Sequence, residues 1–221
     1  MVLRVLTWNV FHGRALPPRN QDLLVAFAAR LSAWPWDVAL LQEVPPWWPE
    51  RLARACDAEQ RRALTSRNAL LPLRRALARP RPELMKAKGG GANAILVRRL
   101  GIAAHERRRV RTWPERRVVH AVRDGDGRWF ANLHASVHDD ARAHADVARA
   151  RAAVLRWAGD APAVLGGDLN VRDPYVSGFV HAGGHEVDHV FARGLEPAGR
   201  CETLDRGTLS DHAPVLVTVS D

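Results

Sequence analysis

Residues 209–215, which read LSDHAPV, and residues 166–170, which read GGDLN, decide the fold that we predict for this chain. Each is an apolar run that meets isolated Asp, Asn or His residues at its end. Residues 7–9 (TWN) and 41–43 (LQE) have the same form near the N-terminus. Polar groups at the points where strands leave a core can converge on one rim of a β-scaffold. Because hard oxygen ligands and imidazoles suit a divalent cation and a phosphate ester, the pattern predicts a metal-dependent phosphoester hydrolase.

The length and composition of the chain indicate a globular protein. With 221 residues and 47% hydrophobic residues, we expect a well-filled core and one catalytic domain over residues 1–221. No apolar stretch approaches the roughly 18 residues of a membrane span, so we expect no transmembrane helix. The first eight residues resemble a strand rather than a leader peptide, which predicts a cytoplasmic protein. No feature of the sequence indicates an obligate protein partner.

The cysteines and the charge restrict further the class of protein to which this chain can belong. Cys56 and Cys201 are far apart, which excludes a disulfide-dense scaffold and the usual structural zinc site and favours two buried free thiols. The net charge of +9 comes almost entirely from arginine, whose planar guanidinium suits phosphate oxygens. Charge alone favours a nucleic-acid partner only slightly over arginine used as a general surface residue.

Hydrophobic periodicity predicts more strands than helices. We expect strands over residues 2–8, 37–42, 94–97, 102–110, 117–122, 129–135, 163–167, 186–192 and 214–219. We expect helices over residues 22–31, 45–56 and 141–157, the last capped by Gly159. Residues 124–127 (DGDG) predict a hairpin turn, and residues 61–90 a short strand and a mobile loop. Helices between groups of strands favour an α/β fold with two β-sheets packed face to face and helices outside.

Six short motifs occur in a fixed order along the chain. They are WNV (8–10), LQEV (41–44), NLH (132–134), GDLN (167–170), VDHV (187–190) and SDHAP (210–214). In this order they resemble the endonuclease/exonuclease/phosphatase superfamily, which includes DNase I-like nucleases, apurinic endonucleases, sphingomyelinases and inositol-polyphosphate phosphatases. The resemblance spans residues 3–219, and GDLN and SDHAP are its most specific elements. It implies a four-layer α/β sandwich of the DNase I-like type.

The resemblance implies a metal site and a catalytic pair. Glu43 matches the main Mg²⁺ ligand, with Mn²⁺ as a substitute, and Asn9 and Asp211 match residues beside the metal. His212 matches the catalytic histidine, and Asp188 the carboxylate that orients it. An Asp–His pair of this kind holds the useful tautomer of the imidazole and stabilises its charged form.

The resemblance also implies residues that face the water and the phosphate. Asp168 and Asn170 match the pair that positions the attacking water and a phosphate oxygen. His134 matches a second phosphate-facing histidine, Glu115 matches its acidic partner, and Asn93 is placed as a phosphate contact.

Among the arginines, position along the chain points first to Arg172, which follows the GDLN motif and is our first choice for a substrate contact. His12 and Arg14, downstream of Asn9, are second choices. The arginines of residues 107–109 and 116–117 fit a phosphate-tracking stripe, or a partly solvated face because alternate strand residues point to opposite sides. Trp47 and Trp48 fit either base stacking at the lip of a cleft or anchoring of the following helix.

Three functions stay open on the sequence. The first is a phosphodiesterase acting on DNA or RNA, which the net charge favours. The second is a hydrolase of a small phosphorylated metabolite or lipid headgroup, because the chain has few insertions with which to grip a duplex. The third is a catalytically inactive binding module, against which the intact set of matching residues speaks. Whether Asp168 or His212 accepts the proton of the attacking water also stays open.

Overall fold

The computed structural model describes residues 1–65, 68, 70–78, 91–137 and 139–221. In chain order its strands are β1 (Val2–Asn9), β2 (Val38–Val44), β3 (Glu59–Leu64), β4 (Ala92–Val97), β5 (Ala104–Arg111), β6 (Arg117–Arg123), β7 (Trp129–His134), β8 (Ala163–Asp168), β9 (Val180–His185), β10 (Asp188–Arg193), β11 (Glu196–Pro197), β12 (Glu202–Thr203) and β13 (Val215–Ser220). Its helices are α1 (Leu24–Ala33), α2 (Pro49–Ala55), α3 (Leu71–Ala78) and α4 (Asp140–Ala158).

The described strands form two sheets. The first has the order β11-β13-β1-β2-β4-β3, with β12 also paired to β13, and the second has the order β5-β6-β7-β8-β10-β9. Within these described sheets, the parallel pairs are β1–β2 and β7–β8. Parallel neighbours need a crossover connection, and α1 and α4 supply it. Since parallel strands end at the same edge, the topology brings Asn9 beside Gln42, and His134 beside Asp168.

The two sheets pack face to face and helices cover their outer faces. Between the sheets, Leu40 and Ile95 of the first meet Phe130 and Val164 of the second, all fully buried. Outside the first sheet, α1 and α2 pack on residues of β1 and β2 such as Trp8, and outside the second sheet α4 packs on β7 and β8. Each fully buried large apolar side chain stabilises the fold by about 1.5–3 kcal/mol. The predicted four-layer α/β sandwich is confirmed.

A buried polar network joins the sheets close to the site edge. The Gln42 side-chain amide donates to Asn132 Oδ1 over 2.8 Å and to Thr7 Oγ1 over 3.1 Å. The Asn132 amide in turn donates to the backbone carbonyls of Leu41 and Ala94, each at 2.9 Å. Because buried amides are costly unless bonded, this network holds β2 of the first sheet in place against β7 of the second.

Several predicted elements begin at other residues than expected. The second helix begins at Pro49 rather than residue 45, because residues 45–48 form a turn in which Trp48 N donates to Pro45 O. Proline suits the first helical position, where its missing N–H costs nothing. The Trp48 ring is buried against Phe27 with centroids 5.4 Å apart, so it anchors the helix. The hairpin turn at residues 124–127 joins β6 to β7 as predicted.

The elements not predicted from the sequence are β9, β11, β12 and α3. Strand β9 contains Gly183 and Gly184 and has too few apolar residues to show a strand pattern. Gly183 has a φ of +153°, and a Cβ there would lie 2.7 Å from Cys201 Cβ, so glycine is required. Helix α3 and strand β3 lie in the region expected to hold only a strand and a loop, and part of that loop falls outside the described residues.

The two cysteines differ in their exposure to solvent. Cys56 is buried as expected, whereas Cys201 is exposed, so the prediction of two buried thiols is wrong for Cys201. None of the helices in the described part of the chain combines the length and the apolar character needed to cross a lipid bilayer.

Candidate active site

One cavity of about 580 Å³ opens at the edge where β1, β2, β7 and β8 end. The predicted site residues that line it are Asn9, Glu43, Glu115, His134, Asp168, Asn170, Asp211 and His212. They come from positions spread over almost the whole chain. The cavity therefore depends on the topology, which places the ends of both parallel pairs side by side.

The carboxylate of Asp168 lies at the centre of the polar side chains. Its Oδ2 accepts a 2.9 Å hydrogen bond from Asn9 Nδ2, and lies 3.5 Å from His134 Nε2 and 3.9 Å from His212 Nε2. Its Oδ1 accepts from the backbone N–H of Asn170 over 3.1 Å. Burial raises the pKa of Asp168, while the charge of His212 and the bond from Asn9 lower it. A carboxylate whose pKa is raised in this way is suited to accept a proton.

His212 is held by a buried carboxylate. Its Nδ1 donates to Asp188 Oδ2 over 2.6 Å, which leaves Nε2 facing the cavity. Burial lowers the pKa of His212, but the hydrogen bond to Asp188 and the charges of Asp188, Asp168 and Asp211 outweigh it, and the net direction is upward. Burial raises the pKa of Asp188. The imidazolium form of His212 is therefore stabilised next to the cavity.

Ser210, which sequence reasoning did not single out, positions this pair. Its Oγ donates to Asn9 O over 2.6 Å and accepts from the backbone N–H of His212 over 3.1 Å. The Trp8 indole N–H donates to His212 O over 3.1 Å. These bonds tie the loop before β13 to the end of β1. The serine of the SDHAP motif was the available signal.

Glu43 lies opposite, in a strained backbone conformation with a φ of +54°. Its Oε2 lies 3.2 Å from His12 Nε2 and its Oε1 lies 3.9 Å from His134 Nδ1. Burial, and next the charge of Asp211, raises the pKa of Glu43. Burial lowers the pKa of His134 well below its ordinary value, so its imidazole is neutral at neutral pH.

Left-handed backbone conformations are concentrated at this site. Positive φ angles occur at Phe11, His12, Glu43, Asn170 and Ser210, and all except Ser210 line the cavity. Residues other than glycine hold such conformations at a cost of about 1–3 kcal/mol each. Strain of this kind is retained where it aims side chains, and Glu43 is such a residue, since its side chain lines the cavity.

Three arginines add positive charge to the cavity wall: Arg14, Arg116 and Arg117. The Arg14 guanidinium lies over the Phe11 ring at 3.6 Å from its centroid, which fixes its plane. Arg117 is buried and donates to Glu115 Oε2 over 2.8 Å. The sequence analysis ranked His12 and Arg14 behind Arg172 because Arg172 follows the GDLN motif, whereas it is His12 and Arg14 that line the cavity.

Two predicted substrate contacts lie elsewhere in the structure. Asn93 is fully buried and its amide donates to Val118 O over 3.2 Å, while Arg172 is exposed in the loop after Asn170. Among the described residues, the lining of the cavity includes neither of them. Contacts of Asn93 or Arg172 with a phosphate therefore stay predictions.

The donor atoms at the rim fit a hard divalent cation. Glu43 and Asp211 offer carboxylates on the same cavity, and Asn9 offers an amide oxygen that also accepts from the backbone N–H of Phe11 over 2.9 Å. Mg²⁺ takes one or two carboxylates and keeps several waters, which matches this set. The upward pKa shift of Glu43 next to Asp211 also means that a cation between them would favour the ionised form.

A second trio, Asp168, Asp188 and His212, has potential ligand atoms within 4.8 Å of one another. Its shortest contact is the 2.6 Å bond from His212 Nδ1 to Asp188 Oδ2, which already occupies one of the candidate ligand atoms on each of these two residues. This trio is therefore better suited to proton transfer than to metal binding.

Comparisons with known proteins agree with the fold. A sequence model of the endonuclease/exonuclease/phosphatase family matches residues 6–212. Among solved structures, a functionally unknown conserved protein from Enterococcus faecalis V583 superposes with a TM-score of 0.75 at 15% identity, over 99% of each chain. An endonuclease/exonuclease/phosphatase from Beutenbergia cavernae DSM 12333 gives a TM-score of 0.69 at 20% identity, over 99% of this chain and 71% of that one. A humanized D. rerio TDP2 gives 0.70 at 16% identity, over 100% and 99%. No curated protein matches the sequence significantly.

Proposed function

Because the chain belongs to the endonuclease/exonuclease/phosphatase family, whose members are phosphoester hydrolases, we propose that residues 1–221 form a divalent-metal-dependent phosphodiesterase that acts on nucleic acid. One observation carries the proposal: Asn9, Glu43, Asp168 and His212 face a single cavity although they are far apart in the chain. Hydrolysis of a phosphodiester requires a base, an oriented nucleophile and several positive groups around the phosphate. The cavity has side chains for each of these tasks.

The nucleophile in this proposal is a water that contacts Asp168 Oδ2 and His212 Nε2, which are 3.9 Å apart. Asp168 Oδ2, or Nε2 of His212 in its neutral form, is placed to accept its proton as the bond to phosphorus forms. Asp188 keeps His212 in one orientation through the bond to Nδ1. Asn170, whose side-chain amide donates to Ala135 O, lies at the same wall and is assigned to a phosphate oxygen.

The metal in this proposal is Mg²⁺, with Mn²⁺ as a substitute, held by Glu43 with Asn9 and Asp211 beside it. When bound, such a cation supplies Lewis-acid stabilisation of charge on the phosphate oxygens. The chain's own contribution is to place Glu43 on the cavity wall in a backbone conformation with a positive φ. His12, 3.2 Å from Glu43 Oε2, holds one carboxylate oxygen in place.

The choice of nucleic acid over a small phosphoester is supported by charge. Arg14, Arg116 and Arg117 surround the carboxylates with positive groups, and the whole chain carries a net charge of +9. Arginine offers two donors in one plane to phosphate oxygens. A compact cavity of about 580 Å³ also admits a small phosphorylated metabolite or lipid headgroup, so the test includes such substrates.

The test is hydrolysis by the purified protein with and without Mg²⁺ or Mn²⁺. Substrates are bis-p-nitrophenyl phosphate, plasmid DNA, an abasic oligonucleotide, and a panel of sugar and inositol phosphates. We expect cleavage of the diesters and nucleic acids that is abolished by a chelator. Cleavage of only the small phosphates would move the substrate class to the second candidate, and no cleavage of any substrate would leave an inactive binding module. His144→Ala, an exposed position on α4, serves as the control for variants of His212.

A further inference from the structure

A second cavity, of about 420 Å³, lies beside the active site and is called here the arginine groove. It is lined by Ala63 and Leu64 at the end of β3, by residues 107–109 of β5, and by Arg116 and Val118 near the start of β6. Strands β3 and β5 are the outermost strands of the two described sheets on this side. The arginine groove therefore opens where two sheet edges meet the solvent, a place that a chain-like ligand can enter.

Arg116 connects the arginine groove to the active-site cavity, because its side chain lines both. Its Nε donates to Thr65 O over 3.1 Å, and one of its terminal nitrogens contacts the same oxygen. Thr65 itself lines the active-site cavity. A guanidinium held at this boundary can contact an anion on either side, so the two cavities form one continuous basic path.

The charge of the arginine groove is of one sign. Four of its lining residues are arginines, and within the described part of the chain none of the lining residues is acidic. Elsewhere in the fold, Arg111 is paired with Asp146 over 2.9 Å, whereas the ion pairs of the described residues include none to Arg107 or Arg109. Like charges side by side repel each other and concentrate anions from solution.

Exposed charge also protects an edge strand from pairing with other chains, and β5 is an edge strand. That role requires no cavity and no continuity with the active site. A concave wall of arginines that ends at a phosphoesterase site is suited to a ligand with several phosphates in a row.

An exposed aromatic residue indicates which kind of polyanion fits the arginine groove. Trp113, in the connection between β5 and β6, is 76% exposed and lies two residues before Glu115 of the active-site wall. A solvent-exposed indole in the same connection as Arg116 is suited to stack on an unpaired base of a strand bound there. Inorganic polyphosphate has no group that would use it.

We propose that the arginine groove binds backbone phosphates of single-stranded nucleic acid that flank the phosphate in the active site. This rests on the proposed function, because it identifies the strand as the substrate. Arg107 and Arg109 contact the flanking phosphates, Arg116 lies at the junction, and Trp113 stacks on an unpaired base.

The test measures binding of a short fluorescein-labelled oligothymidylate by anisotropy, in chelator so that no cleavage occurs, over a range of salt concentrations. The variant is Arg107→Gln with Arg109→Gln. We expect roughly 10-fold weaker binding and a plot of log affinity against log salt that is shallower by about 1.4, or ~0.7 for each lost phosphate contact on a single strand. The matched control is Arg4→Gln with Arg156→Gln, two exposed arginines away from the site that remove the same charge.

The control separates local contacts from net charge. We expect the control to leave affinity and salt slope close to those of the parent. Equal weakening in both double variants, or an unchanged slope in Arg107→Gln with Arg109→Gln, overturns the proposal.

A second arm identifies the ligand. Trp113→Ala should weaken oligothymidylate binding about 5-fold or more, within the range for one stacked base, without changing binding of inorganic polyphosphate. Equal effects on both ligands overturn the assignment to nucleic acid.

Turnover of bis-p-nitrophenyl phosphate separates this proposal from the proposed function. This substrate is too small to reach the arginine groove, so the groove variants should keep the parent's turnover. If the parent hydrolyses no substrate but the groove variant loses affinity, the hydrolase assignment fails and strand binding stands. If the parent is active on DNA and the groove variant binds normally, the arginine groove alone is refuted.

Discussion

The two parallel strand pairs, β1–β2 and β7–β8, bring different chemistry to the same cavity. The pair β1–β2 ends in Asn9 and Glu43, which offer oxygen atoms to a cation. The pair β7–β8 ends in His134 and Asp168, and Asp168 faces His212 across 3.9 Å. Both pairs are built in the same way, with a helix crossing between parallel strands. The difference lies in the residue types at the strand ends, so on the proposed function one architecture supplies both metal ligands and a proton acceptor.

Following the roles given by the proposed function, we call Asn9 and Glu43 the metal half of the site, and Asp168 with His212 the proton half. They meet through two contacts, the 2.9 Å bond from Asn9 to Asp168 and the position of His134 between Asp168 and Glu43. On the proposed function, a change in the proton half should lower turnover at any metal concentration. A change in the metal half should first alter the metal dependence.

The largest effect is expected for Asp168→Asn in the proton half. The amide keeps the shape but cannot accept a proton, so turnover of bis-p-nitrophenyl phosphate should fall by roughly 10³-fold or more at saturating Mg²⁺. Initial rates measure this, and thermal unfolding checks that the fold is intact. Asp160→Asn, at an exposed position, is the control. A rate within 10-fold of the parent would remove Asp168 from the proton half.

His212→Ala should lower turnover by at least about 10²-fold, because the group that faces Asp168 is lost. Asp188 acts through His212, so adding Asp188→Asn to His212→Ala should cost little more. A double-mutant cycle on initial rates measures this coupling. Additive losses from the two changes would show that Asp188 does not work through the 2.6 Å bond to His212.

Asn132→Ala tests the buried link between the strand pairs. It removes the bonds to Leu41 O, Ala94 O and Gln42. The two carbonyls lose this buried donor, whereas Gln42 keeps its bonds to Thr7 Oγ1 and Leu40 O. The free energy of unfolding should fall by roughly 2–3 kcal/mol, measured by urea denaturation. The matched exposed change is Asn20→Ala. Equal stability of Asn132→Ala and the parent contradicts a structural role for the network.

Glu43→Gln in the metal half should raise the Mg²⁺ concentration for half-maximal activity by about 10-fold or more, since one carboxylate charge is lost. Part of the turnover should return at high Mg²⁺, which distinguishes this half from the proton half. Metal titration of activity is the measurement, with Glu50→Gln on α2 as the control. Identical titration curves for parent and variant would refute the assignment.

The smallest effect is a change of stability with pH at His120, remote from both halves. His120 is fully buried on β6 and lies against His105 of β5, with ring nitrogens 3.3 Å apart. Burial, and next the charges of Arg61 and Arg107, lowers the pKa of His105. Burial, then the charge of His105, lowers the pKa of His120 well below its ordinary value. The unfolded chain therefore binds a proton near pH 6.5 that the folded chain rejects, so stability present above that pH is lost as the pH falls.

His120→Gln should make the free energy of unfolding less steep between about pH 6.5 and 5, by up to ~1.4 kcal/mol per pH unit. Urea unfolding of parent and variant at several pH values measures it. His144→Ala on the surface of α4 should leave the slope unchanged. Parallel slopes for His120→Gln and the parent contradict a neutral buried imidazole.

The parts of the site that were predictable from the sequence have a physical reason in common. GDLN and SDHAP combine an apolar strand with polar residues directly after it, and a strand end is a place where the direction of a side chain is constrained. The structure accordingly places Asp168 and His212 on the cavity. The residues that escaped prediction lie in turns or at left-handed positions, as Ser210 does, where the pattern of apolar residues carries no information on direction.

By itself, the sequence determined the apolar strands, the main helices and the polar residues at the strand ends, because burial selects apolar side chains at fixed periods. Only the tertiary structure decided that Asn93 turns inward to Val118 while Arg14 and Arg116 turn toward the cavity. It also decided that arginines distant in the sequence share the arginine groove with the end of β3. Such placements depend on how sheet edges and loops meet in space, and the interactions that set them join residues far apart in the chain.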